Sequence, residues 1–99
     1  MNDIISQFLK SKGLNTKYRG FFQLKTALSQ WDETQNKNKL LLNIANSTST
    51  NYLAFRKNII KALEMANLEE MSKMKLIDIC NILYEELQVY KGDESYAIK

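Results

Sequence analysis

A chain of 99 residues with a formal charge of +3 has the length of one domain, by the usual prior of roughly 100 to 200 residues each. It contains no histidine, one cysteine, no proline and three glycines, so the residue types on which small catalytic and metal sites rely are nearly absent. That composition points away from an enzyme and away from any cofactor, and its scarcity of turn residues excludes a β-sandwich or small barrel. With 44% hydrophobic and 25% charged residues the chain can still bury a core, and the expected class is an all-α, five-helix compact domain spanning residues 1–99.

The N-terminus MNDIISQF lacks the basic start and long apolar run of a secretory signal. The longest apolar runs, such as residues 40–42, fall far short of the ~20 residues that cross a bilayer. The expectation is a cytoplasmic protein that does not enter the membrane. Asn2 or Asp3 can cap a first helix over about residues 3–12, with Ile4, Ile5, Phe8 and Leu9 on one face and Gly13 as its stop. Asn15 or Thr16 can cap a second, about 17–31, in which Tyr18, Phe21, Phe22, Leu24, Leu28 and Trp31 recur at helical spacing. Gly20 inside it costs about 1 kcal/mol relative to Ala, which predicts a close approach of another helix there.

A polar linker, residues 32–38, leads to a short third helix at about 37–46 carrying Leu40, Leu41, Ile44 and Ala45. Residues 46–51, Asn-Ser-Thr-Ser-Thr-Asn, have side chains that compete with the backbone for hydrogen bonds and favour caps and turns. A fourth helix follows at about 51–66, with Tyr52, Phe55, Ile59, Ala62, Leu63 and Ala66 on one stripe. Met71, Met74, Leu76 or Ile77, Cys80, Leu83, Leu87 and Tyr90 mark a long C-terminal helix at about 73–91, ended by Gly92 and a flexible tail over 92–99. Cys80 on that stripe reads as a core thiol, and Met65, Met71 and Met74 read as core filling. The acidic pairs Glu69-Glu70 and Glu85-Glu86 read as solvated helix surface.

Charge is distributed unevenly. Residues 10–61 hold ten basic side chains against Asp32 and Glu33, a balance of +8, whereas residues 62–99 hold four against eight acids, a balance of −4. Clustered Lys and Arg gain affinity for polyanions by displacing counterions, although a lysine-rich solvated surface has the same composition. The third helix, polar turn and fourth helix (about 37–66) have the proportions of a helix-turn-helix, whose second helix enters the major groove of double-stranded DNA. On a helical wheel the side of the fourth helix opposite Phe55 carries Thr50, Leu53, Ala54, Lys57 and Lys61, with Arg56 and Asn58 on the flanks. The candidate DNA-binding set is therefore Thr50, Asn51, Tyr52, Leu53, Ala54, Arg56, Lys57 and Lys61, with Lys37 and Lys39 from the preceding helix: cations for phosphates or guanine edges, amides for adenine, and apolar groups for thymine methyls.

At these residues the sequence resembles a known family, the C-terminal DNA-binding effector domain of the sporulation initiation response regulator of spore-forming Firmicutes. IISQFLKSKGLNTKYRGFFQLKTALSQW (residues 4–31) is similar to that domain's opening helices, through Arg19-Gly20-Phe21 and Leu24, and LLLNIANSTSTNYLAFRKNIIKALEMA (residues 40–66) is similar to its helix-turn-helix without a gap. The types agree at Ile44-Ala45, Thr50, Phe55, Ile59, Ala62 and Glu64-Met65-Ala66. Ala54 stands where the family has an arginine, Arg56 where it has an acid, Ile60 where it has a basic residue, and Gln23 where it has a tyrosine. The resemblance implies that residues 51–66 read AT-rich, promoter-like sites, often as tandem copies; a homodimer is the other expected assembly, and, unlike the family, the chain is expected to be a stand-alone domain without a receiver. The expected function is that of a small sequence-specific transcriptional regulator. Two other roles fit the same residues: a plasmid or phage accessory protein acting at a replication or transfer site, and a helical protein-interaction module, such as an immunity or anti-defence protein, using Trp31 with Phe21-Phe22, or Leu53 with Ile60, as its partner face.

Overall fold

The computed structural model describes residues 3–33, 36–48 and 51–98, and among these it contains helices and no strands. In chain order they are α1 (Ile4–Ser11), α2 (Arg19–Gln30) continued by a 3-10 turn (Trp31–Glu33), α3 (Lys37–Thr48), α4 (Tyr52–Met65), the short α5 (Glu69–Ser72) and α6 (Leu76–Ile98). The all-α expectation holds, with five longer helices and one additional helix of four residues.

Each helix end has a local cause. Asp3 caps α1, its Oδ1 accepting from the backbone N–H of Ile5 at 3.0 Å and of Ser6 at 3.5 Å. The same carboxylate meets Lys25 of α2 at 2.6 Å, and that hydrogen bond, with the two backbone donors, holds its pKa below the ordinary value. At the other end Gly13 takes φ +95°. The N–H of Gly13 then reaches Lys10 O, and that of Leu14 reaches Leu9 O at 3.1 Å, the double closure that a left-handed residue after a helix permits.

Three expected boundaries are corrected. Asn15 accepts from the N–H of Lys17 at 2.8 Å, so it closes a turn, and α2 begins only at Arg19, after Tyr18, whose side chain makes no cap. The third helix does not stop at 46: Ser47 and Thr48 bond back to the carbonyl of Ile44 at 3.1 and 2.6 Å, which keeps these polar residues helical. The last helix passes Gly92, where no neighbour lies within 4 Å, and runs to Ile98. A lone glycine in a helix costs only about 1 kcal/mol and need not end it. The segment expected to be a flexible tail over 92–99 is therefore helical as far as Ile98.

α2 is the hub of the fold, packing on α1, α3, α4 and α6. A Cβ built on Gly20 would lie 2.3 Å from the carbonyl oxygen of Asn58 and 2.8 Å from Ile59 Cα; the close approach anticipated from the sequence is that of α2 to α4. The core gathers Leu9 from α1, Phe21, Leu24 and Leu28 from α2, Leu41 and Ile44 from α3, Phe55, Ile59 and Leu63 from α4, and Ile79, Leu83 and Leu87 from α6. At about 25 cal/mol per Å2, each such side chain contributes roughly 1.5 to 3 kcal/mol when fully buried. One buried polar side chain crosses this core. Gln23 donates from Nε2 to Thr48 Oγ1 at 2.9 Å, tying α2 to the last turn of α3.

Beyond the end of α4 at Met65, Asn67 takes φ +63° and lets the N–H of Leu68 close on Leu63 O at 2.9 Å. This reversal makes α5 a separate element, which the periodicity did not foretell, and it moves Met71 out of the last helix. It also corrects the assignment of the methionines to the core: Met65 is 54% exposed and Met74 is exposed in the turn before α6, while only Met71 packs against the core.

Candidate nucleic-acid interface

α3 and α4 are separated by residues 49–51, of which Thr50, in the candidate set, lies outside the described residues. Asn51 is the cap of α4. Its Oδ1 accepts from the N–H of Ala54 at 2.8 Å, which orients the side chain toward the helix start. Phe55, Ile59, Ala62 and Leu63 face inward. The outward row is Leu53, Lys57 and Lys61, four residues apart on one face, all exposed and Leu53 to 61%. Arg56 and Asn58 flank this row half-buried, and Ala54 is half-covered. Tyr52, at the first position, stacks edge-on against Phe55 with ring centroids 6.0 Å apart, and partial burial raises its hydroxyl pKa.

The two cations assigned to the preceding helix differ. Lys39 is exposed in the first turn of α3, its N–H bound to the Asn36 side chain at 3.0 Å. Lys37 is half-buried: its Nζ lies over the Trp31 ring, 5.2 Å from the centroid, and donates to the Trp31 carbonyl. Trp31 itself is 2% exposed and donates from Nε1 to Asn81 Oδ1 at 2.9 Å. Lys37 thus ties the start of α3 to the end of α2, so its ammonium already has partners within the protein. The burial of Trp31 and Phe21 also removes them from the alternative partner face; of that group only Phe22 is exposed.

Two ion pairs occur among the described residues, Lys12 with Glu86 and Lys25 with Asp3. Neither uses a cation of α4. The segment 13–20 meets α4 at both ends, on its core-facing side: Gly13 lies against Ala66 and Gly20 against Asn58 and Ile59. Lys17 and Arg19 of this segment are exposed, and they were absent from the candidate set. The sequence signal beside them is Gly20 alone, whose missing Cβ marks a backbone pressed against another helix, whereas Gly13 serves the left-handed turn after α1.

Cys80 is fully buried on α6, and burial pushes its thiol pKa up to about 12, leaving it a protonated core group at neutral pH. No cluster of three His, Cys, Asp or Glu side chains that could hold a metal ion is found among the described residues, nor is any helix long and apolar enough to cross a membrane. No protein-family model, curated protein or solved structure matches the chain.

Proposed function

We propose that the protein binds double-stranded DNA through α4, acting as a small sequence-specific regulator or as an accessory protein at a replication or transfer site. The observation that carries this reading is the outward row of Leu53, Lys57 and Lys61 on a capped helix whose opposite face is locked into the core. A helix presenting two exposed cations that form no ion pair among the described residues, with an apolar side chain beside them, supplies phosphate contacts and a surface for thymine methyl groups together. The amide of Asn58 and the guanidinium of Arg56 stand on the flanks of the same row. The resemblance of residues 40–66 to a helix-turn-helix supports the same reading, and so do the three residues between α3 and α4.

The test is selection of bound sequences from random duplex DNA at fixed salt, followed by titration of the Lys57→Ala and Lys61→Ala variants. Enrichment of a motif, and a loss of about one unit of salt slope per variant, are the expected results. Unchanged affinity in both variants would sink the assignment of α4. A second reading rests on the exposure of Leu53, with Leu42 and Tyr52 beside a shallow groove between α3 and α4. An apolar patch of this kind suits a protein partner, and uniform weak DNA binding with no enriched motif would favour it.

A further inference from the structure

We infer that the outward face of α6 binds a second copy of this chain, as an antiparallel helix pair in which Val89 of each copy enters the hollow left by Gly92 of the other. The inference rests on α6 and stands whether or not α4 binds DNA. Its ground is a contrast between the two glycines that lie within helices. Glycine in a helix is unfavourable relative to alanine, and Gly20 has a reason for its place, because an added Cβ would overlap the Asn58 backbone of α4. Gly92 has no such reason inside the chain: a Cβ built on it meets no atom of the described residues within 4 Å. Val89 stands three residues before it, on the same face of the helix. At 64% it is the most exposed large hydrophobic side chain of the described residues. A protruding side chain and a bare stretch of backbone one turn apart form a knob and a hole.

A two-fold axis satisfies both at once, since an isologous contact sets residue i against j and j against i. Leu83, Leu87 and Tyr90 turn the other side of α6 toward the core, so the face that carries Val89 and Gly92 is open to a partner. Charge selects a second copy as that partner. Beside Val89 a groove of about 300 Å3 runs between α1 and α6, lined by Phe8, Ser11, Lys12, Glu86 and Tyr90. Lys12 at its rim pairs with Glu86. Position 93 lies two turns beyond Glu86 on the same flank of the helix, and antiparallel pairing sets each flank against its own copy. Asp93 of the second copy therefore passes Lys12, in a stretch, residues 92–98, that brings two acids and no cation. α1 opposite it carries Lys10 and no acid over Ile4–Ser11.

The experiment is sedimentation velocity of the full chain over a wide range of protein concentration, for the parent and for Val89→Asp, Gly92→Leu and Leu53→Asp, with a circular dichroism melt of each at the lowest concentration. The parent should pass from monomer to dimer and no further, because a two-fold contact closes on itself. Val89→Asp should weaken the dimer by about a hundredfold or more, since the lost apolar burial is counted twice. Gly92→Leu should also abolish it by filling the hollow, while its monomer melts at or above the parent temperature, because leucine is the better helix former and nothing in the described chain obstructs it. That pair of opposite changes is one that misfolding does not produce. Leu53→Asp, on the exposed face of α4, should leave association at the parent value. A parent that stays monomeric at every concentration overturns the inference. So does a dimer that survives Val89→Asp or Gly92→Leu, and so does one that Leu53→Asp disrupts, which would place the contact on α4.

Discussion

Replacing Gly20 by Ala tests the packing of α2 on α4, because two physical effects predict opposite signs. By helix propensity alone, alanine at the second position of α2 stabilises, by at most the ~1 kcal/mol that holds for a helix interior. The tertiary contact argues the other way. The new methyl would meet Asn58 O at 2.3 Å, Asn58 C at 2.7 Å and Ile59 Cα at 2.8 Å, and all three are backbone atoms of a helix that cannot rotate aside. To restore ordinary contact the helices must part by about 1 Å, which forfeits a large share of the dispersion between them. Overpacking of this kind typically costs about 1 to 3 kcal/mol, and more where nothing can yield. After the gain in propensity we expect a net loss of about 2 kcal/mol, which for a domain of this size lowers Tm by roughly 8 to 16 °C. Circular dichroism at 222 nm through thermal and urea unfolding measures both. A variant that melts at or above the parent temperature would refute the close approach and, with it, the placement of residues 13–20 along α4.

Other outcomes follow from single residues. Phe55→Ala should cost about 3 to 5 kcal/mol as a fully buried aromatic; a urea midpoint like the parent's would mean that α4 presents a different face to the core. Asn51→Ala removes the cap on Ala54 and should cost about 1 kcal/mol, read as a shift in midpoint with unchanged m; no shift would place the start of α4 elsewhere. The buried thiol of Cys80 makes stability depend on alkaline pH. Its folded pKa is raised to about 12, so its contribution is complete below the unfolded value near 8.5 and is lost as pH rises toward the folded one, at about 1.4 kcal/mol per unit. Between pH 8 and 9.5 the parent should lose stability more steeply than Cys80→Ala; parallel curves would show that the thiol ionises in the native state.

The fold was legible where apolar spacing and a single chemical signal agreed. Asp3 caps α1, Gly13 ends it, and Gly20 marks a helix crossing, each because only a short acceptor, a permissive backbone or a missing Cβ satisfies that position. It was not legible where two uses of one residue type compete. Ser47 and Thr48 resemble turn residues, yet they bond back to Ile44 and extend α3. Asn67 carries the left-handed turn that detaches α5, and asparagine is equally common as a cap or a solvated side chain.

The candidate interface divides in the same way. The sequence determined that the chain is helical, that the inward stripe of α4 leaves Leu53, Lys57 and Lys61 on the far side, and that its first two-thirds are basic. Those facts follow from helical periodicity and composition, which are local. Only the tertiary structure decided which cations are committed: Lys37 to Trp31, Lys12 to Glu86 and Lys25 to Asp3. It likewise decided that Gly20 presses on the Asn58–Ile59 backbone of α4 and that Phe21 and Trp31 are core while Phe22 is surface. These distinctions depend on which backbone passes within a few ångströms of which other, and that is set by the packing of α2 against four neighbours rather than by any single segment.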